Sequence, residues 1–176
     1  MGLPNGFEFT GVACGIKASG KLDLAVISSK TPCVAVGVYT QNVVRAASIE
    51  WDQQLTPTNH FKALIINSGN ANACTGQQGM DDNQAIAAVA SQHLKTEENQ
   101  VLVLSTGVIG QHLPMPEIVQ GIEQAISEQG SSQDHFERTS LAILTTDKGP
   151  KTVESMVSTE SGEIRIAGIA KGAGMI

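Results

Sequence analysis

Short apolar runs separated by polar segments recur along the chain and predict a series of strands. Alternation in LDLAVIS predicts a strand at residues 22–28, and the β-rich composition of PCVAVGVYT predicts another at residues 32–40. The segment AASIEWD is interpreted as a third strand at residues 46–52. Compact apolar runs at residues 61–67 and 100–107 predict two buried strands, and each leads into a stretch rich in glycine or small polar residues.

Three other segments show helical periodicity. The spacing of apolar residues predicts a helix at residues 81–95, with Asp81 or Asp82 as its N-terminal cap. Its stripe on one face contains Ile86, Val89, Ala90, His93 and Leu94. A second helix is predicted at residues 115–130, where proline occupies the first turn and glycine the last position. Residues 132–147 are interpreted as a third helix.

The last part of the chain predicts a β-hairpin, with strands at residues 152–158 and 163–170 joined across the turn TESG. The predicted order is therefore strands first, then β-α-β-α-α-β-β. This order is typical of a mixed α/β (α+β) fold in which helices pack outside sheets. No linker, repeat or low-complexity tract interrupts the sequence, so we expect a single domain over residues 1–176.

Composition and charge narrow the range of functions. Aromatic residues make up only 3% of the chain, so aliphatic side chains are expected to form the core. A net charge of −6 without a run of Lys or Arg argues against nucleic acids and anionic membranes as partners. The cysteines lack CxxC spacing and are expected to be free thiols in a reducing compartment. Because the sequence shows no secretion signal and no membrane span, we expect a cytoplasmic protein.

No self-contained catalytic motif is recognisable in the sequence, but several loops of small residues are candidates for binding. In STGVIG, the Thr106 hydroxyl and the Gly107 N–H group have the chemistry of an oxyanion hole. The loops NSGNANACTG and LTTDKGPK offer amide, hydroxyl and carboxylate groups, and Lys171 has the charge to neutralise a substrate carboxylate. Taken singly, these features are explained more simply as tight turns and a surface lysine.

Taken in order, four segments resemble the bifunctional ornithine acetyltransferase / N-acetylglutamate synthase family of arginine biosynthesis: NSGNANACTG, STGVIG, TTD and GIAKGAGMI. GVACGIK and DLAVI are similar to the amino-terminal region of that family. The resemblance implies a layered αββα-type sandwich, made as a precursor that cleaves itself before a threonine. This chain is then the α chain, and the new amino-terminal threonine of the β chain is the nucleophile, with its free amine as the base.

The resemblance also carries an expectation about the end of the chain. The sequence stops a few residues short of the expected cleavage point, and the nucleophilic threonine lies outside the 176 residues, so we expect activity only with the β chain. Met175 and Ile176 are expected to lie near that partner, in an assembly for which the family suggests an α2β2 heterotetramer.

Roles for individual residues follow from the same resemblance. Thr106 and Gly107 match the oxyanion pair of the family. Thr145, with Thr146 beside it, matches a substrate-contacting threonine, and Lys171 matches a lysine that suits the α-carboxylate. The implied reaction is ping-pong transfer of acetyl from N-acetylornithine to glutamate without metal or organic cofactor, and some members also accept acetyl-CoA. Replacing Thr106 by alanine is expected to slow this transfer with little loss of folding.

Two other functions stay open at this point. A related self-processing amidase or aminopeptidase chain would release its product to water, without any need for glutamate. A non-catalytic scaffold chain would be a stable monomer without a downstream nucleophilic threonine.

Overall fold

The structure is a computed structural model that describes residues 2–173. Its main sheet has four strands in the order β1-β2-β3-β4, with ranges Phe7–Val12, Leu24–Ala35, Thr58–Asn70 and Val101–Val108. The first three strands are antiparallel, whereas β4 runs parallel to β3. Two further strands form an antiparallel hairpin, β5 at Lys151–Thr159 and β6 at Gly162–Ala170. This hairpin confirms the prediction for the last part of the chain.

The helices connect these strands. They are α1 at Ala47–Leu55, α2 at Gly76–Leu94, α3 at Met115–Ser127 and α4 at Gln133–Ala142, with one 3-10 turn at Glu98–Gln100. Within residues 2–173, none of the helices has the length and apolarity needed to cross a bilayer.

Alternation along the strands divides the sheet into two apolar faces. Leu24 and Val26 of β2 point to the face that packs against α2 and α3, where the buried residues also include Ala63, Ile65, Ile86, Val101, Val103, Ile118 and Ile122. Ala25 points to the opposite face, where it packs with Ile66 of β3 and with Ala142 and Ile143 at the end of α4. Successive side chains of a strand point to opposite faces, so β2 and β3 contribute to both clusters.

The predicted strand at residues 46–52 is wrong, because these residues belong mostly to α1. Trp51 donates from Nε1 to the carbonyl oxygen of Val101 at 3.0 Å, and Asp52 Oδ1 accepts from the Val103 N–H group at 2.9 Å. In a strand these adjacent side chains would point to opposite faces, whereas on a helix both reach β4. The inner face of this helix carries buried polar side chains, so an apolar stripe does not mark the helix in the sequence.

Other boundaries also differ from the prediction. The strand predicted at 22–28 and the first part of the strand predicted at 32–40 are one strand, β2, which continues through an irregularity in its pairing with β3. The prediction for residues 36–40 is wrong, because β2 ends at Ala35. The first strand, β1, was not predicted, although its first four residues, FEFT, alternate between apolar and polar as a strand does. The predicted helices at 115–130 and 132–147 end earlier, as α3 and α4.

The helix predicted at 81–95 begins earlier, at Gly76, so neither aspartate caps it. Asp82 instead lies buried inside α2, where its Oδ1 accepts from Gln78 Nε2 at 2.7 Å. His93 is exposed and does not share the buried face with Ile86.

The buried carboxyl of Asp52 leads us to expect that the free energy of unfolding depends on pH. Burial raises the pKa of its carboxyl to about 7, and the hydrogen bond from Val103 lowers it less. Its contribution to folding is therefore greatest below about pH 4 and is lost as the pH rises towards 7. An Asp52→Asn variant keeps an acceptor for Val103 but cannot ionise. We expect its free energy of unfolding to exceed that of the unmodified protein by about 4 kcal/mol at pH 8, and by much less at pH 4.

Urea unfolding of both full-length proteins between pH 4 and pH 8 measures this difference. Parallel pH profiles for the two proteins would contradict an elevated pKa at Asp52.

Candidate active site

The carboxyl ends of β3 and β4 lie side by side because these two strands are parallel. Ser68 pairs with Thr106 and Gly69 with Gly107, and the register shifts at Asn70. Gly107 has a φ of 140°, and a Cβ placed on it would lie 2.3 Å from the carbonyl carbon of Gly69. Two backbones are thus in contact at the point where the STGVIG segment leaves the sheet, and only glycine fits there.

Lys171 brings three distant parts of the chain together at this point. It follows β6, and its Nζ donates to Thr106 Oγ1 at 2.8 Å and to Thr145 Oγ1 at 3.2 Å. Thr106 belongs to β4, whereas Thr145 lies in the loop after α4. Because each hydroxyl oxygen accepts from the ammonium group, its own hydrogen remains available for donation to another acceptor.

Asp147 fixes the segment that carries Lys171. Its Oδ1 accepts from the Gly172 N–H group at 2.7 Å and from Lys151 Nζ at 2.6 Å, and Lys151 also donates to the Gly172 carbonyl oxygen at 2.6 Å. The hydrogen bond from Lys151 is the main cause that lowers the pKa of Asp147 to about 2. The carboxylate therefore stays ionised at neutral pH, and its contacts hold the hairpin end against the loop after α4.

A cavity of about 1130 Å³ is lined by all the predicted site residues, Thr106, Gly107, Thr145, Thr146 and Lys171. Its wall also includes three other lysines, Lys17, Lys21 and Lys148, together with Gly69 and Asp147. The structure therefore brings together predicted site residues that are up to 65 positions apart in the sequence. The expectation for Met175 and Ile176 concerns residues outside the described range 2–173.

Comparison with known proteins identifies the family. The ArgJ family model matches residues 8–176 of the chain. This chain belongs to the ArgJ family. Among curated members, the arginine biosynthesis bifunctional protein ArgJ of Rhodopirellula baltica is 44% identical, over 99% of this chain and 42% of that protein. The protein of the same name from Geobacter sulfurreducens is also 44% identical, over 97% of this chain and 43% of its own length. The chain thus spans about two fifths of these ArgJ relatives.

Solved ArgJ-family structures have the same fold. The ornithine acetyltransferase of Mycobacterium tuberculosis, crystallised with ornithine, matches with a TM-score of 0.92 and 40% identity, over 99% of this chain and 93% of the matched chain. The bifunctional ArgJ of Bacillus halodurans matches with a TM-score of 0.92 and 36% identity, over 98% of this chain and 90% of that one. The predicted mixed α/β fold of the ornithine acetyltransferase kind is confirmed.

The asparagines of the NSGNANACTG segment shape this ArgJ-family chain around the site. Asn67 Nδ2 donates to the Asn70 carbonyl oxygen at 2.8 Å, and Asn72 Nδ2 donates to that of Gly79 at 2.9 Å. Asn70 Oδ1 accepts from the Asn72 N–H group at 2.9 Å, and Asn72 adopts a positive φ of 46°. All three asparagines are buried. Their contacts support the simpler interpretation, a tight turn that fixes the end of β3.

The sequence analysis did not single out Lys17, Gly69 or Asp147, although all three line the cavity. Lys17 lies in GVACGIK, which contributed only to the family resemblance, and no charge pattern singled it out. Asp147 is the carboxylate of the LTTDKGPK segment, and in the structure it accepts hydrogen bonds from Lys151 Nζ and the Gly172 N–H group. Both positions depend on contacts between segments that are remote in the sequence.

Proposed function

We propose that this chain is the α chain of a glutamate N-acetyltransferase that transfers acetyl from N-acetylornithine to glutamate. The observation that carries the proposal is the contact of Lys171 Nζ with the Thr106 and Thr145 hydroxyls, beside the constrained Gly107. A cation, two hydroxyl donors and a fixed strand end suit a substrate with both a carboxylate and an acyl group. The names of the ArgJ relatives support the same reaction.

Two coverage values support the assignment as an α chain. The chain spans about two fifths of the curated relatives, yet it spans 93% of the matched chain in the ornithine acetyltransferase crystal structure. This contrast is expected if the family precursor is cut into two chains. We therefore propose that residues 1–176 form one domain, completed by a β chain that begins with the nucleophilic threonine and assembles as α2β2.

The proposed reaction begins with attack of the β-chain threonine hydroxyl on the acetyl carbonyl of N-acetylornithine. The new C–O bond moves the carbonyl electrons onto oxygen, and this oxyanion accepts hydrogen bonds from the Thr106 hydroxyl and the Gly107 N–H group. The free amine of the threonine takes the hydroxyl proton and passes it to the departing amine of ornithine. The neutral amine of glutamate then attacks the acetyl ester. The ester C–O bond breaks, and the threonine amine takes a proton from the glutamate nitrogen and returns it to the threonine oxygen, which regenerates the nucleophile.

In this mechanism Lys171 both binds the substrate and polarises the Thr106 hydroxyl. Its charge attracts the α-carboxylate of the substrate, with Thr145 and Thr146 beside it. Its hydrogen bond to Thr106 Oγ1 at 2.8 Å also polarises that hydroxyl and directs the remaining O–H towards the substrate. One lysine therefore links substrate binding to stabilisation of the oxyanion.

Acetyl transfer by the full-length protein tests the proposal. We expect N-acetylornithine and glutamate together to give ornithine and N-acetylglutamate in equal amounts without any added cofactor, with parallel double-reciprocal plots, and we expect N-acetylornithine alone to release no acetate. D-Glutamate is the control acceptor. Release of acetate without glutamate would favour the amidase, and an uncleaved, inactive monomer would favour the scaffold. Acetyl-CoA as the alternative donor tests the second proposed activity, synthesis of N-acetylglutamate.

A further inference from the structure

The loop between β1 and β2 holds a lysine in a fixed position. The buried Asp23 carboxylate accepts from three backbone N–H groups, those of Cys14 at 2.8 Å, Lys17 at 2.9 Å and Gly15 at 3.2 Å. Lys17 Nζ donates to the Leu22 carbonyl oxygen at 2.7 Å, which closes the loop from the other side. Backbone and side chain of Lys17 are therefore both anchored, unlike those of a typical surface lysine.

This loop packs against the end of β3, next to the candidate oxyanion pair of Thr106 and Gly107. A Cβ placed on Gly69 would lie 2.9 Å from Ile16 Cγ2 and 3.3 Å from Lys17 Cγ. Gly69 pairs with Gly107 across β3 and β4. The aliphatic stem of Lys17 thus lies one strand away from Gly107, and Lys17 and Lys171 line the same cavity.

The charges around Lys17 are unbalanced. Burial is the main cause that lowers the pKa of Lys17, while Asp23 raises it and the like charges of Lys21 and Lys171 lower it further. Among residues 2–173, no carboxylate forms an ion pair with Lys17 or Lys171. Asp23 and Asp147 are occupied by their own hydrogen bonds. The positive charges of Lys17 and Lys171 repel each other, and an anion bound between the two ammonium groups would offset this repulsion.

We propose that Lys17 is a second cationic residue of the substrate site, where it binds, together with Lys171, the α-carboxylate that ornithine and glutamate substrates share. This inference rests on the proposed acetyl transfer. The shared carboxylate fits better than a side-chain group, because the side chains of the two substrates carry opposite charges. A fixed ammonium beside the side-chain position would repel the ornithine side chain, whereas beside the α-carboxylate it helps both substrates.

Calorimetric binding to the full-length protein tests this inference without any turnover. The probes are ornithine, glutamate and their α-carboxamides, ornithinamide and isoglutamine, because none of them reacts without an acetyl donor. We expect Lys17→Met to raise the Kd of ornithine and of glutamate by about tenfold each, and to leave the Kd of both amides within about twofold. Lys17→Arg, which keeps the charge, is expected to retain most of the affinity.

Lys30→Met is the matched control, because it removes the same charge from an exposed position of β2 that does not line the cavity. We expect it to change each Kd by less than about twofold. Equal losses for acids and amides in Lys17→Met would overturn the inference in favour of a structural role. A loss confined to glutamate would assign Lys17 to the side-chain carboxylate instead. Charge-dependent binding without acetyl transfer would leave Lys17 supported and contradict the proposed function.

Discussion

Replacement of Thr106 by alanine in the full-length protein is expected to lower kcat for acetyl transfer by about 10²–10³. In the proposed mechanism the Thr106 hydroxyl donates to oxygen only when negative charge develops there, so its loss affects the transition state more than substrate binding. The hydroxyl oxygen accepts from Lys171 Nζ at 2.8 Å, and this charge-assisted bond makes its O–H a stronger donor. KM for N-acetylornithine is expected to change by less than about threefold.

Two variants serve as controls for this result. Thr106→Ser keeps the hydroxyl and is expected to retain kcat within about tenfold. Thr145→Ala removes the second hydroxyl that Lys171 contacts, at 3.2 Å, and because Thr145 is assigned to substrate binding we expect it mainly to raise KM. Steady-state kinetics with both substrates separates these effects. An unchanged kcat in Thr106→Ala would remove Thr106 from the oxyanion hole.

Much of the framework was predictable because its pattern is local. β4 begins with a compact apolar run, α3 has an apolar stripe with a repeat of nearly four residues behind a proline, and the hairpin of β5 and β6 flanks a recognisable turn. The helix α1 escaped prediction because its inner face carries Ser48 and Asp52, which are buried but polar. Hydrophobicity patterns cannot identify a face whose groups are satisfied by hydrogen bonds to a distant strand.

The candidate site was predictable only in part, for a related reason. Thr106, Thr145 and Lys171 were grouped by the resemblance of ordered motifs, and no spacing rule joins residues so far apart. Their proximity arises from the parallel pairing of β3 with β4 and from the position of β6. Lys17 reaches the same cavity through its contact with Gly69. A contact of this kind depends on the tertiary packing of two segments, which the sequence alone does not display.

Replacement of Gly107 by alanine is expected to damage both the fold and the chemistry. The added Cβ would lie 2.3 Å from the carbonyl carbon of Gly69 and 2.5 Å from the Asn70 nitrogen. These atoms belong to the backbone of β3, so they cannot relieve the clash by changing a rotamer as a side chain could. We therefore expect β3 and β4 to separate locally. Together with the strain of a φ of 140°, this is expected to cost about 3 kcal/mol of stability. Any folded protein is expected to lose at least about 10² in kcat, because the N–H group of residue 107 moves.

Gly110→Ala is the matched control for that variant. Gly110 also has a positive φ, of 80°, but no atom lies within 4 Å of a Cβ placed on it. Its replacement therefore measures backbone strain without the clash, and we expect a loss of about 1 kcal/mol with kcat nearly unchanged. Thermal unfolding and acetyl transfer of the two full-length variants separate the effects. If both variants behaved alike, close contact with β3 would not be what requires glycine at position 107, and the site would owe its geometry to φ alone.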